Sequence, residues 1–177
     1  LKPSASSFSS EVQKSLAAEP ESLVSLFASA RWAESKQQAV EAQRIYEKIL
    51  ARSPGFIPAA RQLALLLVEV PGNESRAYDL TLKIRQDLPR DDEIAASLGK
   101  LACRRGDYRF SIQLLTEATR TRSRDGDALF HLGVAHLGLK QTADGKTALE
   151  KALAATPDGK FTDEAKKLLS SLAVTNK

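Results

Sequence analysis

The chain of 177 residues contains no methionine, one cysteine, one tryptophan and two histidines. Without a methionine, and opening on Leu1, it reads as a processed product or a piece cut from a longer protein. The single cysteine, Cys103, excludes an internal disulfide framework. Together with only two histidines it also falls short of the four ligands of a structural zinc site. No apolar run approaches the roughly 18 residues that a membrane-spanning helix needs, and no signal-peptide core is present. A lone cysteine is compatible with either cytoplasm or periplasm, so the compartment stays open. What the chain does have is 42% hydrophobic and 27% charged residues at a net charge of +4. That is enough for one domain of about 150 residues with a real core.

The prolines that follow helical stretches, Pro20, Pro54, Pro89 and Pro157, are separated by 34, 35 and 68 residues. The last interval is a double step whose missing rung falls at Ser123. Other residues keep the same period. Twelve places before the last four rungs stand Ala42, Ala77, Ser111 and Gly145, all small. Twenty-four places before stand Ala30, Leu65, Gly99 and Gly133, with Leu65 the exception. Eight before are Tyr46, Thr81, Leu115 and Leu149, and five before are Ile49, Ile84, Ala118 and Ala152. Small residues at two fixed places let paired helices approach closely, and bulky ones fill the space beside them.

Apolar spacing near 3.6 and the positions of breakers predict helices over about 23–37, 39–52, 57–70, 74–87, 92–105, 108–121, 127–139 and 143–155. Asp107 is the expected N-cap of its helix, and Pro58 suits a first turn. No stretch alternates with period two for long enough to make a strand, so the chain is read as all-α.

These columns, with Leu98-Gly99 and Gly106-Asp107-Tyr108 in the third unit and Leu132-Gly133 in the fourth, resemble the tetratricopeptide repeat, a 34-residue helix–turn–helix unit. The second unit departs through Leu65 and an added residue at Pro71-Gly72-Asn73. The first lacks the glycine turn and has Trp32 where a small residue is usual. The resemblance implies a right-handed α-solenoid of antiparallel helix pairs. Four repeats are expected, at about 23–57, 58–91, 92–125 and 126–159. Residues 160–177 read as a capping helix, about 162–173, and a polar tail. There Phe161, Ala165, Leu168, Leu169 and Leu172 share one face, with Thr162, Asp163 and Glu164 at the helix start. Phe8 and Val12 stand in register with a second helix. Residues 1–22 thus read as a flexible lead-in followed by either half of a preceding repeat or a simple cap, toward which Trp32 packs.

Catalytic and cofactor signals are poor. Gly145-Lys146-Thr147 imitates the end of a phosphate-binding loop, but Lys140 stands where that loop needs a glycine. His131 and His136 lie about 140° apart around a helix and cannot share a metal as an i, i+4 pair does. Cys103 is followed by Arg104 and Arg105, whose charge favours a thiolate, although cysteine on a solenoid helix is more often a small buried apolar residue. No catalytic, cofactor or metal site is assigned.

Charge is local. Between Lys100 and Arg124 stand Lys100, Arg104, Arg105, Arg109, Arg120, Arg122 and Arg124 against Asp107 and Glu117, a window of +5 in a chain of +4. The resemblance implies that first helices line a concave groove. Its expected positions are Phe27, Arg31 and Glu34, then Gln62, Leu66 and Glu69, then Ala96, Lys100 and Arg104, then Phe130, Val134 and Leu137. Lys100 and Arg104 repel across one turn, and a nearby acid would relieve them. The expected ligand is therefore a partner peptide or helix, with apolar stations at Phe27, Leu66, Phe130 and Val134 and a basic centre favouring an acidic segment. The carboxylate clamp of chaperone-binding relatives is absent, because Phe27, Arg31, Leu63, Glu93 and Ser97 occupy its places.

The function expected is a non-catalytic interaction module, a scaffold or adaptor without a membrane span. Alternatives are the recognition or regulatory arm of a larger enzyme or assembly complex, and self-association through the N-terminal face. RNA reading of the pentatricopeptide kind is disfavoured, since Phe27, Gln62, Ala96 and Phe130 cannot form a polar code and the charge is modest.

Overall fold

A computed structural model describes Glu19 and residues 21–175, without the side chains of Val174 and Thr175. The expectations for residues 1–18, including Phe8, Val12 and self-association through that segment, lie outside the described residues. Nine helices and no strand are found among the described residues: α1 (Leu23–Ser35), α2 (Ala39–Arg52), α3 (Ile57–Val68), α4 (Glu74–Asp87), α5 (Asp92–Arg104), α6 (Tyr108–Thr121), α7 (Gly126–Gly138), α8 (Thr142–Ala155) and α9 (Thr162–Thr175). The helices that open the four expected repeats are α1, α3, α5 and α7. The fold is an all-α solenoid type built from helix pairs.

Helix starts follow from satisfied orphan N–H groups. The Ser22 side chain accepts from the Ser25 amide at 3.2 Å, and Asp91 accepts from Glu93 and Ile94 at 3.1 and 3.0 Å. Asp107, as expected, caps α6 through the Phe110 amide, and Asp125 caps α7 through the Ala128 amide. Pro58 sits in the first turn of α3. The turn after each of these helices contains one left-handed residue: Gln37, Gly72, Gly106 and Lys140, with φ of 60°, 83°, 80° and 60°. The first and fourth repeats thus make with glutamine and lysine the turn that the others make with glycine. First helices stop at this turn, so α1 and α3 end two residues earlier than the apolar pattern predicts.

The chain divides into two units between Pro71 and Gly72, a boundary inside the second expected repeat. In the first unit α1 packs against α2, and α2 against α3. In the second α5 packs on α6, α7 on α8, α6 on α7, α5 on α7 and α9 on α8. The second-helix columns hold throughout, since Ala42, Ala77, Ser111 and Gly145 are buried. So are Tyr46, Thr81, Leu115 and Leu149, and Ile49, Ile84, Ala118 and Ala152.

In the second unit the small residues mark where paired helices cross. Ser111 Oγ donates to the Gly99 carbonyl at 2.9 Å. A Cβ on Gly99 would stand 2.7 Å from Leu115 Cγ, and one on Gly133 would stand 2.8 Å from Leu149 Cγ. Real Cβ atoms do not come that close, so these positions require glycine.

One column needs correction. Counting back from Pro89 puts Leu65 at the small place of α3, but Leu65 is only half-buried and Ala64 is fully buried. The seventh residue after the helix start is Ala30, Ala64, Gly99 and Gly133 in the four first helices. The residue added between α3 and Gly72 displaces the count by one.

Residues after α8 cover its end. Phe161 and Ala165 are buried in one cluster with Leu129, Phe130, Leu149 and Ala152, while Leu168 and Leu169 pack at its edge. Lys160, Lys166, Lys167 and Ser171 face outward.

Candidate functional site

In the first unit, the side chains expected on the binding face are partly committed to the fold. Phe27 lies tilted against Tyr46, with ring centres 5.9 Å apart, and edge-on to Phe56 at 5.8 Å. Arg31 pairs with Glu34 one turn on and donates to Gln62 Oε1 at 2.8 Å, which ties α1 to α3. Leu66 is half-buried and Glu69 is exposed at the end of α3. Beneath them the Tyr46 hydroxyl is buried and has no hydrogen-bond partner among the described residues. Burial, with the Glu34 charge adding to it, pushes its phenol well above the ordinary range. Trp32, half-buried, receives the Lys36 ammonium over its ring at 4.6 Å.

In the second unit, α5 and α7 meet through a charged cluster that the sequence reading missed. Lys100 Nζ, with its side chain only 13% exposed, donates to Asp127 Oδ2 at 2.8 Å. His131 brings Nδ1 to 3.3 Å from Asp127 Oδ1 and to 2.9 Å from the Asp127 carbonyl. Burial alone would raise the Asp127 carboxyl, but the His131 hydrogen bond and the Lys100 charge outweigh it and hold it well below the usual range. The acid expected from a partner to relieve Lys100 and Arg104 is thus supplied in part by the chain. Its signal was in the sequence: Asp127 stands in the first turn of the next first helix, beside the Lys100 level.

Arg104 is exposed in the last turn of α5. Its charge adds to the backbone hydrogen bonds, chiefly from Glu74 and Gly72, that lower the Glu74 carboxyl. Ala96 is buried and Val134 is half-buried. Phe130, expected as an open apolar station, is in the core: it is 5% exposed, stacks on Phe161 at 5.2 Å and meets His131 edge-on. Its place on the first-helix face is covered because Phe161, just before α9, folds over it.

Cys103 is 5% exposed, and its thiol donates to the His131 carbonyl at 3.4 Å. Burial pushes the thiol upward despite Ser111 and Arg104, so the expected thiolate bias is overturned and the small apolar reading stands. His136 Nδ1 is engaged by Gln141 Oε1 at 2.6 Å. Gly145 is a helical residue of α8, where an added Cβ would meet Leu137 Cδ2 at 2.6 Å, so it serves a helix crossing and not a phosphate loop. Among the described residues no group of three or more histidine, cysteine, aspartate or glutamate side chains is placed to hold a metal ion.

The basic window of the sequence separates in space. Lys100 goes to Asp127, Arg105 stacks over Tyr78 with its guanidinium 4.1 Å from the ring centre, and Arg122 pairs with Asp125 at 2.9 Å. Arg109 and Arg120 belong to α6, and Arg124 to the loop after it.

Residues 127–158, covering α7 and α8, match the family model of the tetratricopeptide repeat. No curated protein sequence matches the chain. Solved structures do. A point mutant of MamA superposes with a TM-score of 0.73 at 17% identity, over 86% of this chain and 87% of that one. MamA from Desulfovibrio magneticus RS-1 gives 0.66 at 18% identity, over 85% and 89%. YrrB, described as a TPR protein with an unusual peptide-binding site, gives 0.71 at 18% identity, over 93% and 86%. Likeness at this level of identity speaks for the fold.

Proposed function

Taking the chain as a tandem tetratricopeptide-repeat protein, we propose that it is a non-catalytic interaction module, a scaffold or adaptor whose first-helix faces hold a peptide or helix of a partner protein. The observation that carries this reading is the coupling between neighbouring first helices of the second unit. Lys100 of α5 is held by Asp127 of α7, next to exposed Arg104 and half-buried Val134. Such a face is ordered before any ligand arrives, which lowers the entropy cost of binding. The peptide-binding description of YrrB, a protein of the same fold, supports the same class of ligand.

The face of the first unit comprises Phe27, Arg31, Gln62, Leu66 and Glu69, and that of the second comprises Lys100, Arg104 and Val134. Phe130 is left out because it is buried. A preference for acidic segments rests on Arg104 and on competition with Asp127 for Lys100, so it is expected to be modest.

Selection of a displayed random-peptide library on the whole chain tests the reading. Enriched peptides should bind at least ~10-fold more weakly to the Arg104→Glu/Val134→Glu variant, about 1.4 kcal/mol. Those bearing carboxylates should bind Asp127→Asn more tightly than the parent, since that change releases Lys100. Enrichment of no peptide, or of peptides indifferent to the double substitution, would refute it.

A further inference from the structure

The cations that the first-helix face does not use gather elsewhere. A cleft of about 500 Å³ runs between the second helices α6 and α8, with α7 as its floor. Leu129, Leu132 and Ala148 form its base, and Arg120 and Lys151 stand on opposite walls. At one end it continues past His136 and Asp144 to Arg109, Ile112 and Leu139. At the other it continues past Ser123 and Lys151 to Arg124. Four cations, Arg109, Arg120, Arg124 and Lys151, thus line one trough whose lining includes a single carboxylate, Asp144.

None of these four makes an ion pair or hydrogen bond with another side chain among the described residues, whereas Lys100, Arg105 and Arg122 are all engaged. Two of the threonines in the walls are not free to recognise a ligand. Thr119 Oγ1 donates to the Leu115 carbonyl at 2.7 Å and Thr147 Oγ1 to the Ala143 carbonyl at 2.9 Å. Recognition in this trough therefore falls to an apolar base and to unpaired positive charge.

We propose that this second-helix cleft is a separate docking surface for an acidic peptide segment of a partner protein, one apolar side chain seated over Leu132 and Ala148 and carboxylates reaching Arg120, Lys151 and Arg124. Charge complementarity selects the occupant, because an uncompensated cluster of cations at a concave apolar strip favours anions flanking an apolar anchor. The acids of the segment point away from Asp144, toward the Arg124 end. From Arg109 to Arg120 the wall is ~16 Å long at 1.5 Å per helical residue, room for about five residues of extended chain. A peptide fits better than single-stranded nucleic acid, since no phenylalanine, tyrosine or tryptophan lines the trough to stack bases.

Its charged walls stand on the second helices α6 and α8, and neither Arg104 nor Val134 is among its lining residues, so its test does not depend on the first-helix face. A fluorescein-labelled octapeptide of glutamates around a central leucine is titrated with the whole chain and followed by anisotropy, at low and physiological salt. Binding is expected, weaker at the higher salt, at least ~10-fold weaker in Arg120→Glu/Lys151→Glu, and unchanged in Arg104→Glu/Val134→Glu. Arg120 and Lys151 are exposed, so the first variant should keep its helicity, checked by circular dichroism. Replacing the probe's glutamates by glutamine should abolish binding, and replacing its leucine by glutamate should weaken it. Absence of binding, equal affinity for the Arg120→Glu/Lys151→Glu variant, or loss confined to the Arg104→Glu/Val134→Glu variant would overturn the assignment. Tighter binding of an oligouridylate of equal charge would overturn it in favour of nucleic acid.

Discussion

Gly133 sits where α7 crosses α8, and Gly133→Ala weighs two opposed effects of known size. In an isolated helix the methyl group would help by about 1 kcal/mol, the propensity difference between glycine and alanine. Here the same methyl would stand 2.8 Å from Leu149 Cγ, 2.9 Å from its Cδ2 and 3.1 Å from the Gly145 carbonyl oxygen. Leu149 is fully buried and cannot swing aside, and overpacking of this kind costs ~1–3 kcal/mol. The clash is expected to win, with a net loss of up to about 2 kcal/mol.

A double-mutant cycle isolates the cause. Leu149→Ala alone should cost ~2–5 kcal/mol through the cavity it leaves. Combined with Gly133→Ala it should cost less than the sum, by ~1 kcal/mol or more, because the atoms the new methyl strikes are gone. Urea unfolding followed by far-ultraviolet circular dichroism at 222 nm measures all four corners. A stabilising Gly133→Ala, or additive effects in the cycle, would refute the claim that helix approach and not turn flexibility demands this glycine.

Tyr46→Phe removes a buried hydroxyl that lacks a partner, so stability should stay level or rise by up to ~1 kcal/mol; a loss above that would mean the hydroxyl is bonded. Trp32 fluorescence, from the only tryptophan and in the same unit, reports it. Asp127→Asn should cost ~1–2 kcal/mol near neutral pH, between an exposed and a buried ion pair, since it strands Lys100 at low exposure. The Asp127 carboxyl is lowered in the folded chain, so its contribution is present above about pH 4, the unfolded value, and fades below it. Parent and variant unfolding midpoints should therefore converge on acidification, and a constant gap down to about pH 2 would contradict the pairing. Lys140→Gly relieves a left-handed lysine at φ 60° and should stabilise by up to ~1 kcal/mol, while Gly106→Ala should destabilise by a similar amount; equal responses of both sites in thermal melts would undo that account.

The repeat was legible because packing at helix crossings admits few residue types. A fixed small residue recurs in every second helix, followed at two further fixed places by Tyr46, Thr81, Leu115 and Leu149 and by Ile49, Ile84, Ala118 and Ala152, and all are buried. The first helix of the second repeat, α3, was misread by one place, since a proline ladder counts through an insertion that the helix start does not feel. That is why Ala64, and not Leu65, closes the column. Phe130 looked like a groove anchor because its level in the repeat faces open space when nothing follows; Phe161 lies 31 residues on, and no local pattern announces the stack. The basic window was visible as a sum but not as a distribution. Residues 100–124 cross a first helix, a turn, a second helix and a loop, so side chains adjacent in sequence point to opposite faces. Only the three-dimensional arrangement separates the engaged cations from those left along α6.

The caps of α5 and α7 carry a consequence for how such a chain can change length. Asp91 and Asp125 hold the same N-cap position 34 residues apart. A cassette of residues 92–125 therefore opens on the first residue of a helix and closes on the aspartate that starts the next one. Copied in frame after Asp125, it brings its own cap, its own Gly106 turn and its own Gly99–Ser111 crossing. The chain can thus grow by whole helix pairs without a new junction having to be invented, and each added pair would bring another copy of the Arg109 and Arg120 wall.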